Sequence, residues 1–413
     1  MRIRPTAVAV VLAVVSATAG AARSSPQQAA PAAAAPTAPP PSRPGPRGPA
    51  VVSPQIEPDG RVTFRILAPN ASAVTVGGDI NIGLVPDPSP PASQPPATAA
   101  PSGVTPAVTM SKGENGIWSG TTVRAVRPGA WRYTFTVDGA TVADSRNVTV
   151  STTQTQVQSL LVVPGDFSET RDVPHGSVSV VRYVATTLGN ARRSLYVYTP
   201  PGYEQGTGRY PVLYLIHGGG DTAMSWSTVG RANDILDNLL AEKKAVPMIV
   251  VMPSGWTPGG GQVMTADATK DPFNDEMMRD IIPFVERTYR TVATPEGRAL
   301  SGLSMGGIQT LNIGLHNLGT FRYLAVMSSG WVTEQDRQFF YTSEAAKIPR
   351  YNAALKLFWW GWGETDIARA NGLAVIKTFT SQGVKVETRE SPGGHTWDNW
   401  RLYLHEVAPR LFR

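Results

Sequence analysis

The sequence predicts a doubly wound, mostly parallel α/β sheet with helices on both faces, preceded by a smaller all-β sandwich. Three observations carry this. Short apolar runs alternate with helical patterns through the second half of the chain. Period-2 runs separated by Gly, Pro and Asn turns fill residues 51–165. Near the middle of the second half lies Gly302-Leu-Ser304-Met-Gly306, a G-x-S-x-G pattern between an apolar run and a helical one. Strand, tight turn and helix together are what a nucleophile elbow requires.

The chain has 413 residues, which suggests two domains. Residues 1–22 read as a secretory signal: Arg2 and Arg4, then the apolar run Ala7–Val15, then small residues at Ala17, Ala19 and Ala21. That run is too short to span a bilayer, for which about 20 residues are needed. The expected location is secreted or periplasmic. There is no Cys, which excludes a thiol nucleophile, a Cys-based metal site and disulfides. The net charge of +6 is spread without Lys/Arg blocks, so nucleic acid is not an expected partner.

Residues 23–50 are Ala/Pro-rich and read as an extended linker. Within 51–165 the alternating stretches are Val62–Ile66, Val74–Val76, Trp131–Val137, Val148–Val150 and Leu160–Val163. A Pro-rich insertion over 83–106 interrupts them. Gly60-Arg-Val-Thr-Phe-Arg65, Gly116-Ile-Trp118, Pro128-Gly129, Tyr133 and Val137-Asp-Gly139 resemble the immunoglobulin-like E-set domains found beside carbohydrate-active enzymes. Trp118 and Trp131 read as sandwich framework, and no binding residue is assigned there.

The second domain, 171–413, opens with Leu195–Thr199, which alternates and reads as an antiparallel edge strand. Buried strands are expected at Tyr210–Ile216 and Met248–Met252, before the elbow, and at Tyr323–Ser328, Leu355–Trp360 and Val384–Arg389. Helices are expected over Arg231–Glu242, Glu276–Tyr289, the stretch after Ser304, Ile367–Gln382 and Trp397–Leu411. In such a sheet functional groups gather at the carboxyl ends of strands. Ser304, His217, Trp256, Trp331, Asp366 and His395 all fall there.

A serine hydroxyl needs a general base, and imidazole suits the task. Of the five His, only His395, in Ser391-Pro-Gly-Gly-His-Thr-Trp397, combines a loop with the right position. His217 begins a Gly-rich turn and reads as tied to that loop. In chain order the acid lies between nucleophile and base, and Asp366 fills the slot, with Glu364 as runner-up. Asp336 and Glu334 read as helix-start residues. An oxyanion needs two backbone N–H donors. Met305 supplies one, and Gly219, with Gly218 as alternative, supplies the other. Trp226, Trp256, Trp331 and Trp397 sit on or near the rim and could present flat walls to a sugar or aromatic ring. No metal or cofactor is called for.

From Arg193 onward the chain resembles the esterase D family of α/β-hydrolases, in its bacterial feruloyl-esterase-like branch. The shared stretches are Tyr198-Thr-Pro-Pro-Gly-Tyr203, Val212–Gly220, Pro247–Pro253, Gly302–Gly307 and Gly394-His-Thr-Trp397 with Trp400-Arg401. The resemblance implies Ser304, Asp366 and His395 as triad, and hydrolysis of feruloyl or acetyl esters on decorated plant polysaccharide. Acyl transfer or siderophore-ester hydrolysis on the same scaffold is an alternative, as is a non-catalytic glycan-binding protein.

Overall fold

A computed structural model describes residues 51–86, 107–259 and 265–413. The expected signal peptide and linker lie outside the described residues. So does most of the Pro-rich insertion, but its start does not. Residues 83–86 belong to the fold, because buried Leu84 pairs with Val126.

Among the described residues the first region contains nine strands: β1 Gln55–Ile56, β2 Val62–Leu67, β3 Val74–Gly78, β4 Ser111–Lys112, β5 Ile117–Thr121, β6 Gly129–Val137, β7 Ala140–Val142, β8 Val150–Thr152 and β9 Val157–Val163. They form two antiparallel sheets, β1-β2-β5-β4 and β3-β6-β9-β8, with β7 paired to β6. Val62, Phe64, Tyr133, Phe135 and Leu161 share one core. Trp118 and Trp131 are framework there. Their indole N–H groups donate to the carbonyls of Ala68 (3.1 Å) and Arg127 (2.9 Å).

Strand β6 alternates in sequence, yet it is buried on both faces from Gly129 to Phe135. Trp131, Tyr133 and Phe135 point into the sandwich core. Ala130, on the other face, packs with Leu160 of β9 against Leu213, Trp226, Trp397 and Trp400 of the second region. Arg401 bridges the same seam: fully buried, it donates to the carbonyls of Ala130 and Val229, each at 3.0 Å. The two regions are one compact unit from Pro49 to Arg413.

The second region adds β10 Ser177–Ala185, β11 Ala191–Thr199, β12 Val212–Ile216, β13 Ile249–Pro253, β14 Arg298–Leu303, β15 Tyr323–Met327, β16 Leu357–Gly363 and β17 Glu387–Ser391. Their order is β10-β11-β13-β12-β14-β15-β16-β17. Every pairing from β13 onward is parallel, while β10 and β11 are antiparallel. The expected edge strand at Leu195–Thr199 is therefore an inner one. The edge is β10, whose mostly exposed residues carry no burial signal in the sequence. Along β12, Val212, Tyr214 and Ile216 enter one core and Leu213 and Leu215 the other, because successive side chains face opposite sides of a strand covered twice. The helix expected over Glu276–Tyr289 begins earlier, at Pro272, capped by the Asp271 carboxylate on the Phe273 N–H at 3.0 Å. It passes through a π turn at Met277–Ile281 before ending at Thr288. Among the described residues no helix is long and apolar enough to cross a membrane.

Candidate active site

Strand β14 ends at Leu303, and the helix Met305–His316 starts two residues later. Ser304 is the hinge, with φ 52° and ψ −116°. That region is rarely adopted by residues with a side chain and costs roughly 1–3 kcal/mol. The surrounding packing leaves no other turn. A Cβ at Gly302 would lie 2.2 Å from the Gly306 carbonyl oxygen, and one at Gly306 would lie 2.5 Å from the His217 carbonyl oxygen. The Ser304 N–H donates to the Met327 carbonyl at 2.9 Å. Its own carbonyl accepts from the Ser329 hydroxyl at 2.6 Å. The strained backbone is thus held on both its N–H and its carbonyl by the end of β15 and the residues just after it.

His395 stands four residues beyond β17, and Asp366 three residues beyond β16. The Nδ1–H of His395 donates to Oδ1 of Asp366 at 2.8 Å, and Nε2 accepts from the Ser304 hydroxyl at 2.9 Å. An ionised carboxylate only accepts, so the proton of the neutral ring belongs on Nδ1 and Nε2 is free to take one. Burial alone would raise the Asp366 pKa. The His395 hydrogen bond and charge, with the Ala368 N–H, outweigh it and hold the carboxyl below its ordinary range. Trp400 sets its ring edge-on to the imidazole at 5.1 Å, its own N–H fixed to the Ser328 hydroxyl at 2.9 Å. The structure thus brings Ser304, His395 and Asp366 together. Among the described residues no hydrogen bond or ion pair joins Glu364 to His395.

His217 is buried, and burial pushes its pKa down. Nε2 accepts from the Gly255 N–H at 3.2 Å, so Nδ1 carries the proton and donates to the Gly218 carbonyl at 2.8 Å. That carbonyl also accepts from the Asp221 N–H at 3.3 Å. A trans peptide points its N–H opposite its carbonyl, so the Gly219 N–H faces away from these partners. Gly219 lines the same cavity as His395, which favours it over Gly218 as donor. Met305 is the first residue of its helix, and its N–H has no acceptor within that helix. The helix dipole adds to it.

The cavity measures about 430 Å³. The four proposed tryptophans divide there. Of the four, Trp397 lines it, beside Trp400, which is not one of them. Trp226 and Trp331 have no exposed surface, which corrects their assignment to a substrate wall. Trp226 donates to the Ile216 carbonyl at 3.1 Å, and Trp331 donates to Asn312 at 2.9 Å and packs on Phe340. Trp256 is half-buried and spends its N–H on the Asp221 carbonyl at 3.1 Å, bracing the Gly-rich turn. Sequence reasoning missed Trp400, although it lies in a stretch already singled out. It also missed Asp79, Arg132, residues 153–156 and Gln158 of the first region, which line the cavity and have no local signature. Among the described residues no cluster of His, Asp and Glu could hold a metal.

A family model, Esterase, described as "Putative esterase", matches residues 186–411. An endo-1,4-beta-xylanase/feruloyl esterase of Xylanibacter ruminicola is 30% identical over 371 residues, 87% of this chain and 46% of that protein. Endo-1,4-beta-xylanase Y of Acetivibrio thermocellus is 30% identical over 247 residues, 54% of this chain and 22% of that protein. The chain spans less than half the length of either relative. Among solved structures, the feruloyl esterase module from Clostridium thermocellum complexed with sinapinate is 25% identical, with TM-score 0.52, covering 61% of this chain and 93% of that one. The enterobactin esterase of Shigella flexneri shares the fold at 16% identity and TM-score 0.54, covering 85% of this chain and 93% of that one.

Proposed function

The chain belongs to the Esterase family of carboxylic ester hydrolases and has their α/β-hydrolase fold, and on that premise we propose that it is a secreted serine esterase acting on feruloyl or acetyl esters of xylan-like polysaccharide. The observation that carries the mechanism is the continuous relay Ser304–His395–Asp366, at 2.9 and 2.8 Å. The Ser304 oxygen attacks the ester carbonyl carbon while its proton passes to Nε2 of His395. The Asp366 carboxylate stabilises the resulting imidazolium. The Met305 and Gly219 N–H groups receive the oxyanion. Collapse of the tetrahedral species breaks the ester C–O bond, and His395 returns its proton to the departing alcohol. A water, deprotonated by the same ring, then cleaves the acyl-enzyme.

The substrate class is supported by the xylanase/feruloyl esterase relative and by the feruloyl esterase module solved with sinapinate. Secretion is supported by the charged, then apolar, then small-residue order of residues 1–22.

Turnover of methyl ferulate and p-nitrophenyl acetate by the wild type and by Ser304→Ala tests the reading. Hydrolysis that disappears in the variant is expected, and the wild type should show a trapped acyl group on Ser304 by mass spectrometry. Turnover that survives the substitution overturns it. Transfer to an added alcohol faster than hydrolysis would make the protein an acyltransferase instead.

A further inference from the structure

The cavity that reaches His395 is closed on its other side by the first region. Asp79, Gln154, Gln156 and Gln158 line it opposite Gly219 and His395. Gln154 is committed: its N–H donates to the Gly220 carbonyl at 2.8 Å and its side-chain amide to the Asp221 carbonyl at 3.0 Å. These bonds dock the β8–β9 hairpin on the Gly-rich turn. Gln156 and Gln158 follow at two-residue spacing. Their side-chain amides have no partner among the described residues, and each offers two donors and one acceptor group. Asp79 accepts the Arg132 N–H on Oδ2 at 3.3 Å, and its other oxygen has no hydrogen-bond partner among the described residues.

Chemistry decides which half of an ester belongs there. His395 must hand its proton to the alcohol oxygen as the C–O bond breaks, so the alcohol leaves on the imidazole side of Ser304. The cavity meets the site at His395, which lines it together with Thr396 and Trp397. Two free amides and a carboxylate, spaced along one wall, suit a ligand with several adjacent hydroxyls. They do not suit the aromatic ring of a hydroxycinnamoyl acid.

We propose that Asp79, Gln156 and Gln158 form a subsite for the sugar of the departing alcohol, so that the all-β region selects glycosyl esters over simple alkyl esters. The proposal rests on the esterase reading and adds the half of the substrate that reading leaves open.

The test compares a feruloylated xylo-oligosaccharide with methyl ferulate, using the wild type and the double variant Gln156→Ala/Gln158→Ala. Losing two hydrogen bonds is expected to lower kcat/KM on the sugar ester by about tenfold or more, chiefly through KM, and roughly fivefold beyond any change on methyl ferulate. Equal losses on both esters, or none on the sugar ester, overturn the proposal. A wild type that cleaves neither ester overturns the esterase reading itself, and the methyl ferulate arm identifies that case. Unesterified xylo-oligosaccharide titrated calorimetrically into Ser304→Ala, with and without the double substitution, gives a second readout. Weaker binding by the doubly substituted protein is expected, and equal affinity overturns the subsite.

Discussion

Arg132 of β6 meets the carboxylate of Asp221 at 2.7 Å, and both side chains are nearly buried. The guanidinium also donates to Ser151 at 3.0 Å and to Ser225 at 3.2 Å, and lies 5.6 Å from the centre of the Trp397 ring. One side chain from the all-β region thus fixes the residue that follows the Gly-rich turn. Removing one member of such a pair leaves a buried charge uncompensated. Arg132→Met should cost about 3–5 kcal/mol of stability by urea denaturation. The double variant Arg132→Met/Asp221→Leu should recover much of it. A loss below roughly 1 kcal/mol for the single variant would mean that water reaches the pair.

Ser304 occupies a conformation that suits glycine better than any L-residue. Ser304→Gly and Ser304→Ala should both be inactive, yet differ in stability. The glycine variant should be the more stable by about 1 kcal/mol in thermal unfolding, since it relieves the strain at φ 52°. Equal melting of the two would show that the elbow stores no strain.

Asp366→Asn should lower kcat by about 10³–10⁴-fold, because an amide N–H facing Nδ1 selects the wrong tautomer of His395. KM should change far less. The carboxyl is held below its ordinary value of 3.8, so its stabilising contribution is complete above that pH and fades as pH falls further. The stability gap between wild type and Asp366→Asn should therefore narrow below pH 3.8. A gap constant down to about pH 2 would contradict the depressed pKa.

Asp271 behaves in the opposite sense. Burial raises its pKa from 3.8 to about 6, and its Oδ2 finds no partner among the described residues. A carboxyl raised in the folded state favours folding below pH 3.8 and loses that contribution as pH rises towards 6. Asp271→Asn keeps an oxygen for the Phe273 N–H and removes the charge. It should stabilise the protein by up to about 3 kcal/mol at pH 8 and change little at pH 4. Equal effects at the two pH values would count against the shift.

Much of the site was legible before any coordinates. Gly302 and Gly306 flank Ser304 at the only spacing that lets the helix turn back on β14, and steric exclusion of that kind is local. The buried strands β12, β13 and β15 were legible as apolar runs because helices cover both faces. Strand β10 was not: its residues are mostly exposed, so burial leaves no pattern in them. Trp226 and Trp331 look alike in sequence to Trp397, since all follow strand ends. Only packing distinguishes an indole sealed under a loop from one facing a cavity.

Sequence alone pointed to Ser304, His395 and Asp366, the three side chains the structure brings together, because each stands at the end of a strand whose periodicity and turn residues are written within a few positions. It also determined the doubly covered sheet that carries them. Tertiary structure decided that the all-β region is a wall of the site and not an appendage. The contacts that make it so join Arg132 to Asp221, Gln154 to Gly220 and Arg401 to Ala130. These partners lie far apart along the chain, and no local pattern of side chains specifies which distant backbone a buried arginine will meet.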